Sequence, residues 1–142
     1  MAIHNKFSDV GLKMAACKEH GALDTRDFLG RISDKWSILI VVVLASHPNK
    51  KARFSEIKKS IEGISQTMLT ATLRSLERDG IVSREVFPEV PPKVEYELTS
   101  FGLGLLKPMN MLLEWVSENW GEVKKARKRY DSSHNTFRQK NS

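Results

Sequence analysis

The stretch Ser65-Gln66-Thr67-Met68-Leu69-Thr70-Ala71-Thr72-Leu73-Arg74-Ser75-Leu76-Glu77-Arg78-Asp79-Gly80 decides the architecture. Ser65 is a helix-capping residue type, because its hydroxyl can accept a hydrogen bond from a first-turn amide that has no partner in the helix. Leu69, Leu73 and Leu76 recur at helical spacing and form the inner stripe of a helix from about Gln66 to Asp79. Gly80 then ends it, since glycine takes the left-handed C-terminal conformation without a Cβ penalty. Gln66, Thr67, Thr70 and Arg74 lie opposite the leucines. These are short or planar hydrogen-bonding side chains, the types that reach base edges in a major groove, and arginine can pair with guanine through two donors.

Working outward, Arg53–Ile61 is amphipathic: Phe54, Ile57 and Ile61 share one face while Lys58 and Lys59 point away. Glu62-Gly63-Ile64 is a short turn. Two helices joined this way, the second opened by Ser65 and polar on its outer face, are a helix-turn-helix signature. Downstream, Ile81–Phe87 and Val94–Leu98 alternate as strands, joined by the stiff loop Pro88-Glu89-Val90-Pro91-Pro92-Lys93. A hairpin directly after such a helix is a wing, and Lys93 is expected to meet a phosphate. Arg53, Lys58 and Lys59 are expected to do the same.

The flanks are less explicit. Residues 1–24 show weak periodicity and read as loop plus a short helix. Asp24 or Thr25 can cap a helix carrying Phe28, Leu29 and Ile32, and Ser33-Asp34 can cap another before Trp36. The apolar run Ile38–Leu44 fits a buried strand or a fully buried helix equally, because it has no periodicity to separate them. Thr99 and Ser100 can cap a long helix in which Leu105, Met109, Leu112 and Val116 form one apolar row and Leu106, Leu113 and Trp120 a second. So wide a stripe predicts a subunit interface, and Pro108 predicts a kink or break. The expected organisation is an N-terminal arm over 1–23, a domain over 24–120 that includes the C-terminal dimerisation helix, and a partly disordered basic tail over 121–142.

A chain of 142 residues, 40% hydrophobic and 28% charged, is one globular domain with a real core. The net charge of +6 is unevenly placed. Residues 121–142 hold seven basic and two acidic residues, Lys50–Arg78 has a net charge of +4, and residues 85–120 are acidic. A polyanion such as double-stranded DNA is the natural partner of an internal basic face. The single cysteine, Cys17, excludes an intrachain disulfide and a cysteine-rich zinc site. Cys17 and His20 have no second ligand pair, so neither a metal nor another cofactor is expected. The longest apolar run, Ile38–Ala45, has eight residues, against the roughly 20 of a membrane span. The N-terminus shows no apolar signal core, so the expected location is the cytoplasm. The sequence contains no glycine-rich phosphate loop, metal cluster or nucleophile motif, which argues against an enzyme. A protein-interaction module with a basic face would share the charge, but would need neither the polar stripe at 66–74 nor the wing.

Several ordered motifs together resemble the HxlR-type transcriptional regulators: Asp34-Lys35-Trp36 before the apolar run, Arg53-Phe54-Ser55-Glu56-Ile57, Gly63 to Thr70, Leu73 to Gly80 and Glu89 to Thr99. The likeness runs from about Cys17 to Trp120. It implies a mainly α protein with a small β wing, a winged helix-turn-helix related to the MarR group, dimerised through terminal helices and acting as a homodimer on palindromic promoter DNA. It also implies that 34–45 is helical. Family members often carry an N-terminal cysteine, commonly followed by proline, that senses oxidants or electrophiles. Cys17 occupies that region, although Lys18 follows it. Lys18 and His20 would favour the thiolate if close in space, leaving an intersubunit or mixed disulfide, an adduct or a sulfenic acid as products. The rival switch is a small ligand held non-covalently in an apolar pocket walled by Phe28, Trp36, Trp115 and Trp120.

Overall fold

The computed structural model describes the backbone of residues 22–140 and the side chains of 24–135. Cys17 and the rest of the N-terminal arm lie outside the described residues. The elements run α1 (Ala22–Ile32), α2 (Lys35–Ser46), a 3-10 turn at Pro48–Lys50, β1 (Lys51–Arg53), α3 (Phe54–Ser60), α4 (Gln66–Arg78), β2 (Val82–Phe87), β3 (Lys93–Leu98), α5 (Ser100–Leu103) and α6 (Leu106–Lys140). The architecture is mainly helical with one small antiparallel sheet, ordered β1-β3-β2. The β2–β3 hairpin pairs Val82 with Leu98 and Phe87 with Lys93, and β1 pairs Ala52 with Tyr96. The chain divides into two compact units after Gly104.

In the first unit, α2 is the central helix. Asp34 caps it by accepting from the Trp36 N–H at 3.1 Å. Its Ile40, Val41 and Leu44 are completely buried. The Ile38–Leu44 run is therefore helical: the Asp34 cap sets the backbone, and burial overrides the β-propensity of its branched residues. Ile57 of α3, Leu69, Leu73 and Leu76 of α4, Ile81 and Val82, and Tyr96 and Leu98 of β3 complete the core. Each such aliphatic side chain contributes about 1.5–3 kcal/mol on burial.

Three sequence expectations need revision. Helix α1 begins at Ala22, so Asp24 sits inside the first turn, where its carboxylate favours the helix dipole. Strand β1 has no counterpart in the sequence pattern, because three residues are too short for an alternation signal; β3 recruits them. The long terminal helix is interrupted. Thr99 caps only α5, accepting from the Gly102 N–H at 2.9 Å, and the helical path breaks at Gly104–Leu105. Pro108 accounts for the position, since its ring would clash with the carbonyl four residues earlier, that of Gly104.

In the second unit, α6 then continues unbroken across 120 to Lys140. The segment 121–140 is thus a helical extension, not a partly disordered tail. Its richness in lysine, arginine and glutamate, all good helix formers, accounts for this.

Candidate nucleic-acid interface

The turn between α3 and α4 is built by three residues. Gly63 adopts φ +82°, a conformation glycine takes freely. Ile64 buries its side chain behind the turn. Ser65 then caps α4, its Oγ accepting from the Met68 N–H at 3.0 Å. At the other end Gly80, at φ +77°, terminates the helix. These local devices, with Leu69, Thr72, Leu73 and Leu76 buried, set the rotation of α4 about its axis.

That rotation leaves Gln66, Thr67, Thr70 and Arg74 exposed in one row. The Thr70 hydroxyl donates to the Gln66 carbonyl at 2.8 Å. Thr72, on the inner side, satisfies its hydroxyl against the Met68 carbonyl at 2.8 Å. Arg74 shares a shallow depression with Thr70, Glu77, Arg84 and Tyr96. Arg84 of β2 pairs with Glu77 of α4, Nε to Oε1 at 3.4 Å, and so joins the wing to the exposed helix. Sequence reading missed Arg84; its outward place in the alternating strand was the available signal. Burial raises the Tyr96 hydroxyl pKa, while the charges of Arg84 and Arg74 lower it and that of Glu77 raises it.

Lys58 and Lys59 are exposed in the last turn of α3. Arg53 is exposed just before α3, and its backbone N–H donates to Glu56 Oε2 at 2.8 Å. Lys93 is placed differently. It opens β3 opposite Phe87, with Nζ 2.9 Å from Glu95 Oε1 and 4.7 Å from the Phe87 ring centre. The hydrogen bond from Lys93 holds the Glu95 carboxyl below its ordinary range; desolvation opposes this, and the charges of Lys93, Lys51 and Arg53 reinforce it. The wing tip, Pro88–Pro92, is exposed and carries Glu89 but no basic residue.

Of the apolar row on α6, Leu105 is half-buried, Met109 is buried, and Leu112, Val116 and Trp120 are 51%, 43% and 42% exposed. Arg127 lies over the Trp120 ring at 5.2 Å. Among the described residues, no group of His, Cys, Asp and Glu is arranged to hold a metal ion, and no helix is long and apolar enough to cross a membrane.

A family profile described as HxlR-like helix-turn-helix matches residues 31–124. The chain belongs to the HxlR family. An HTH-type transcriptional regulator of Methanothermobacter thermautotrophicus is 46% identical to this HxlR-family chain over 87 residues, covering 61% of the chain and 64%, less than two thirds, of that relative. Among solved structures, the ytfH protein from Salmonella typhimurium superposes with a TM-score of 0.67 at 34% identity, over 73% of this chain and 90% of that one. The redox regulator HypR in its reduced form gives a TM-score of 0.64 at 38% identity, over 72% and 98%. This protein is accordingly a transcriptional regulator with a helix-turn-helix domain, of the MarR-like winged type.

Proposed function

We propose that this HxlR-family regulator acts as a homodimer on palindromic promoter DNA, with α4 as the recognition helix. The observation that carries the reading is the two-sidedness of α4: its leucines are buried, and Gln66, Thr67, Thr70 and Arg74 form an exposed row. Arg74 would read guanine, Gln66 adenine, and the Thr67 and Thr70 methyls thymine. Ser65 at the helix start, with Arg53, Lys58 and Lys59, would contact phosphates and supply salt-dependent affinity. Lys93 is half-compensated by Glu95, so its phosphate contact would be the weakest of the set. The exposed row Leu112, Val116 and Trp120, with Leu105 and Met109 at its start, supports pairing of α6 with a second copy. In such a dimer the two recognition helices would enter successive major grooves about 34–36 Å apart. The test is selection of duplexes from a randomised library followed by footprinting. Enrichment of an inverted repeat is expected, and enrichment of no sequence would refute the reading.

The likeness to the redox regulator HypR favours a covalent switch at Cys17. Lys18 and His20 are neighbours that stabilise a thiolate. Cys17→Ser is expected to leave DNA binding intact while abolishing release by diamide or a quinone. A mutant that still responds would remove Cys17 from the mechanism.

A further inference from the structure

The helix α6 runs 16 residues beyond the stretch that matches the family profile, which ends at 124. Those extra turns carry most of the chain's excess positive charge. At 3.6 residues per turn, Lys124, Lys125, Lys128 and Arg129 fall within a sector of about 140° on one side of the helix. All four are exposed. Only Lys125 has an ion-pair partner among the described residues, Glu122 at 3.1 Å, and that pair is about 70% exposed on both sides. Glu122 and Asp131 lie at the two edges of the sector, not within it. The hydroxyls of Ser132 and Ser133 donate to the backbone carbonyls of Lys128 and Arg129, both at 2.8 Å, and line a shallow depression with Lys125, Lys128 and Arg129. The fifth cation, Arg127, is on the other side, over Trp120.

Building on the DNA-binding reading above, we infer that this face of α6 binds the phosphate backbone of DNA flanking the operator, adding affinity without sequence preference. The chemistry selects the partner. Four exposed cations over less than two turns match a duplex that carries one negative charge per about 1.7 Å of axis. A helix that lies on a lipid surface needs a broad apolar face, and between 121 and 135 the only candidates are Val123, Ala126 and Tyr130. The basic sector holds none of the aromatic or aliphatic anchors that mark a protein-binding hot spot. The side chains concerned lie about 27–35 Å along the α6 axis from Leu106, at a rise of about 1.5 Å per residue. They form a surface of their own, separate in the chain from the residues assigned to the operator.

The test compares the full-length protein with the quadruple variant Lys124→Gln, Lys125→Gln, Lys128→Gln, Arg129→Gln, since glutamine keeps good helix propensity. Circular dichroism checks that the helix is retained. Binding is measured against salt on the library-selected duplex of about 24 bp, enough for two half-sites, and on the same site extended to about 44 bp by random flanks. The variant is expected to give a log K against log salt slope shallower by about 2–4 on the long duplex, at roughly 0.9 for each phosphate no longer neutralised, and an unchanged slope on the short one. Unchanged slopes on both would overturn the inference, and an equal change on both would place the contact inside the operator and overturn the flank assignment. Loss of co-sedimentation with phosphatidylserine vesicles, or of polyglutamate binding, while DNA slopes stay unchanged would assign the face to lipid or to acidic protein instead. The two readings separate cleanly. If selection returns no preferred sequence, the operator reading falls, while random duplexes of the two lengths still decide the inference.

Discussion

Arg31 grips Asp79 with two guanidinium nitrogens, Nε to Oδ2 at 3.0 Å and Nη2 to Oδ1 at 3.3 Å. The two residues are 48 positions apart. Arg31 ends α1, and Asp79 is the C-cap of α4, so this forked pair fastens the first described helix to the end of the helix that carries the exposed polar row. Asp79, Arg31's strongest partner, raises the guanidinium pKa by hydrogen bonding and by charge, and Asp27 one turn earlier adds to it. A bidentate pair adds direction as well as attraction.

Arg31→Ala is therefore expected to lower the melting temperature and to weaken binding to the selected duplex, though Arg31 lies outside the proposed contact set. A double-mutant cycle with Asp79→Asn checks it. The paired variants should fall short of the summed single effects. Strict additivity would mean that the pair does not couple the two helices.

Gly102 is required by a close approach. A Cβ there would sit 2.1 Å from the Ile81 carbonyl oxygen, the atom that accepts from the Thr99 N–H at 3.1 Å. Gly102→Ala should cost about 1–3 kcal/mol, as overpacked sites do, measured by chemical denaturation. Gly121, in α6, has nothing within 4 Å of its would-be Cβ. Gly121→Ala should instead stabilise its helix by about 0.5–1 kcal/mol. Equal effects at the two positions would contradict the packing argument.

Arg74→Ala should cost about 1–3 kcal/mol on the selected duplex and relax preference at one or two base positions. Lys59→Ala should weaken all duplexes evenly and reduce the salt slope by about 1. Both side chains are exposed, so thermal stability should be kept. A uniform loss for Arg74→Ala, or a loss confined to one sequence for Lys59→Ala, would reverse the two roles.

The Lys93–Glu95 pair makes wing stability depend on acid. Glu95 titrates lower in the folded chain than a free glutamate does. Its contribution is present above the ordinary glutamate range near pH 4.3 and is lost as pH falls through the folded value. The melting temperatures of the wild type and Glu95→Gln should differ at neutral pH and converge in acid. A gap that persists or widens in acid would rule out this linkage.

The parts legible in the sequence are those set by near neighbours. Ser65, the leucine spacing and Gly80 give α4 its limits and its two faces, because capping and amphipathic rotation act within a few residues. The alternation of Ile81–Phe87 and Val94–Leu98 locates the wing to within one residue at each strand start for the same reason. Ile38–Leu44 is different. A segment that is apolar all round carries no directional pattern, and the choice between helix and strand comes from the Asp34 cap and from burial against α4, α3 and the sheet.

The amino-acid order alone determined the helix-turn-helix, the polar row on α4, the wing and the concentration of charge near the C-terminus, since each depends on spacing along the chain. Tertiary structure alone decided that β1 exists as a partner for β3, that Lys93 turns to Glu95 on its own strand while stacking over Phe87, that Arg84 joins Arg74 beside Tyr96, and that Arg31 meets Asp79. Those contacts join residues far apart in the chain, or need the paired strands in place before they can form. Their energies appear only once the fold has paid the entropy of bringing the partners together.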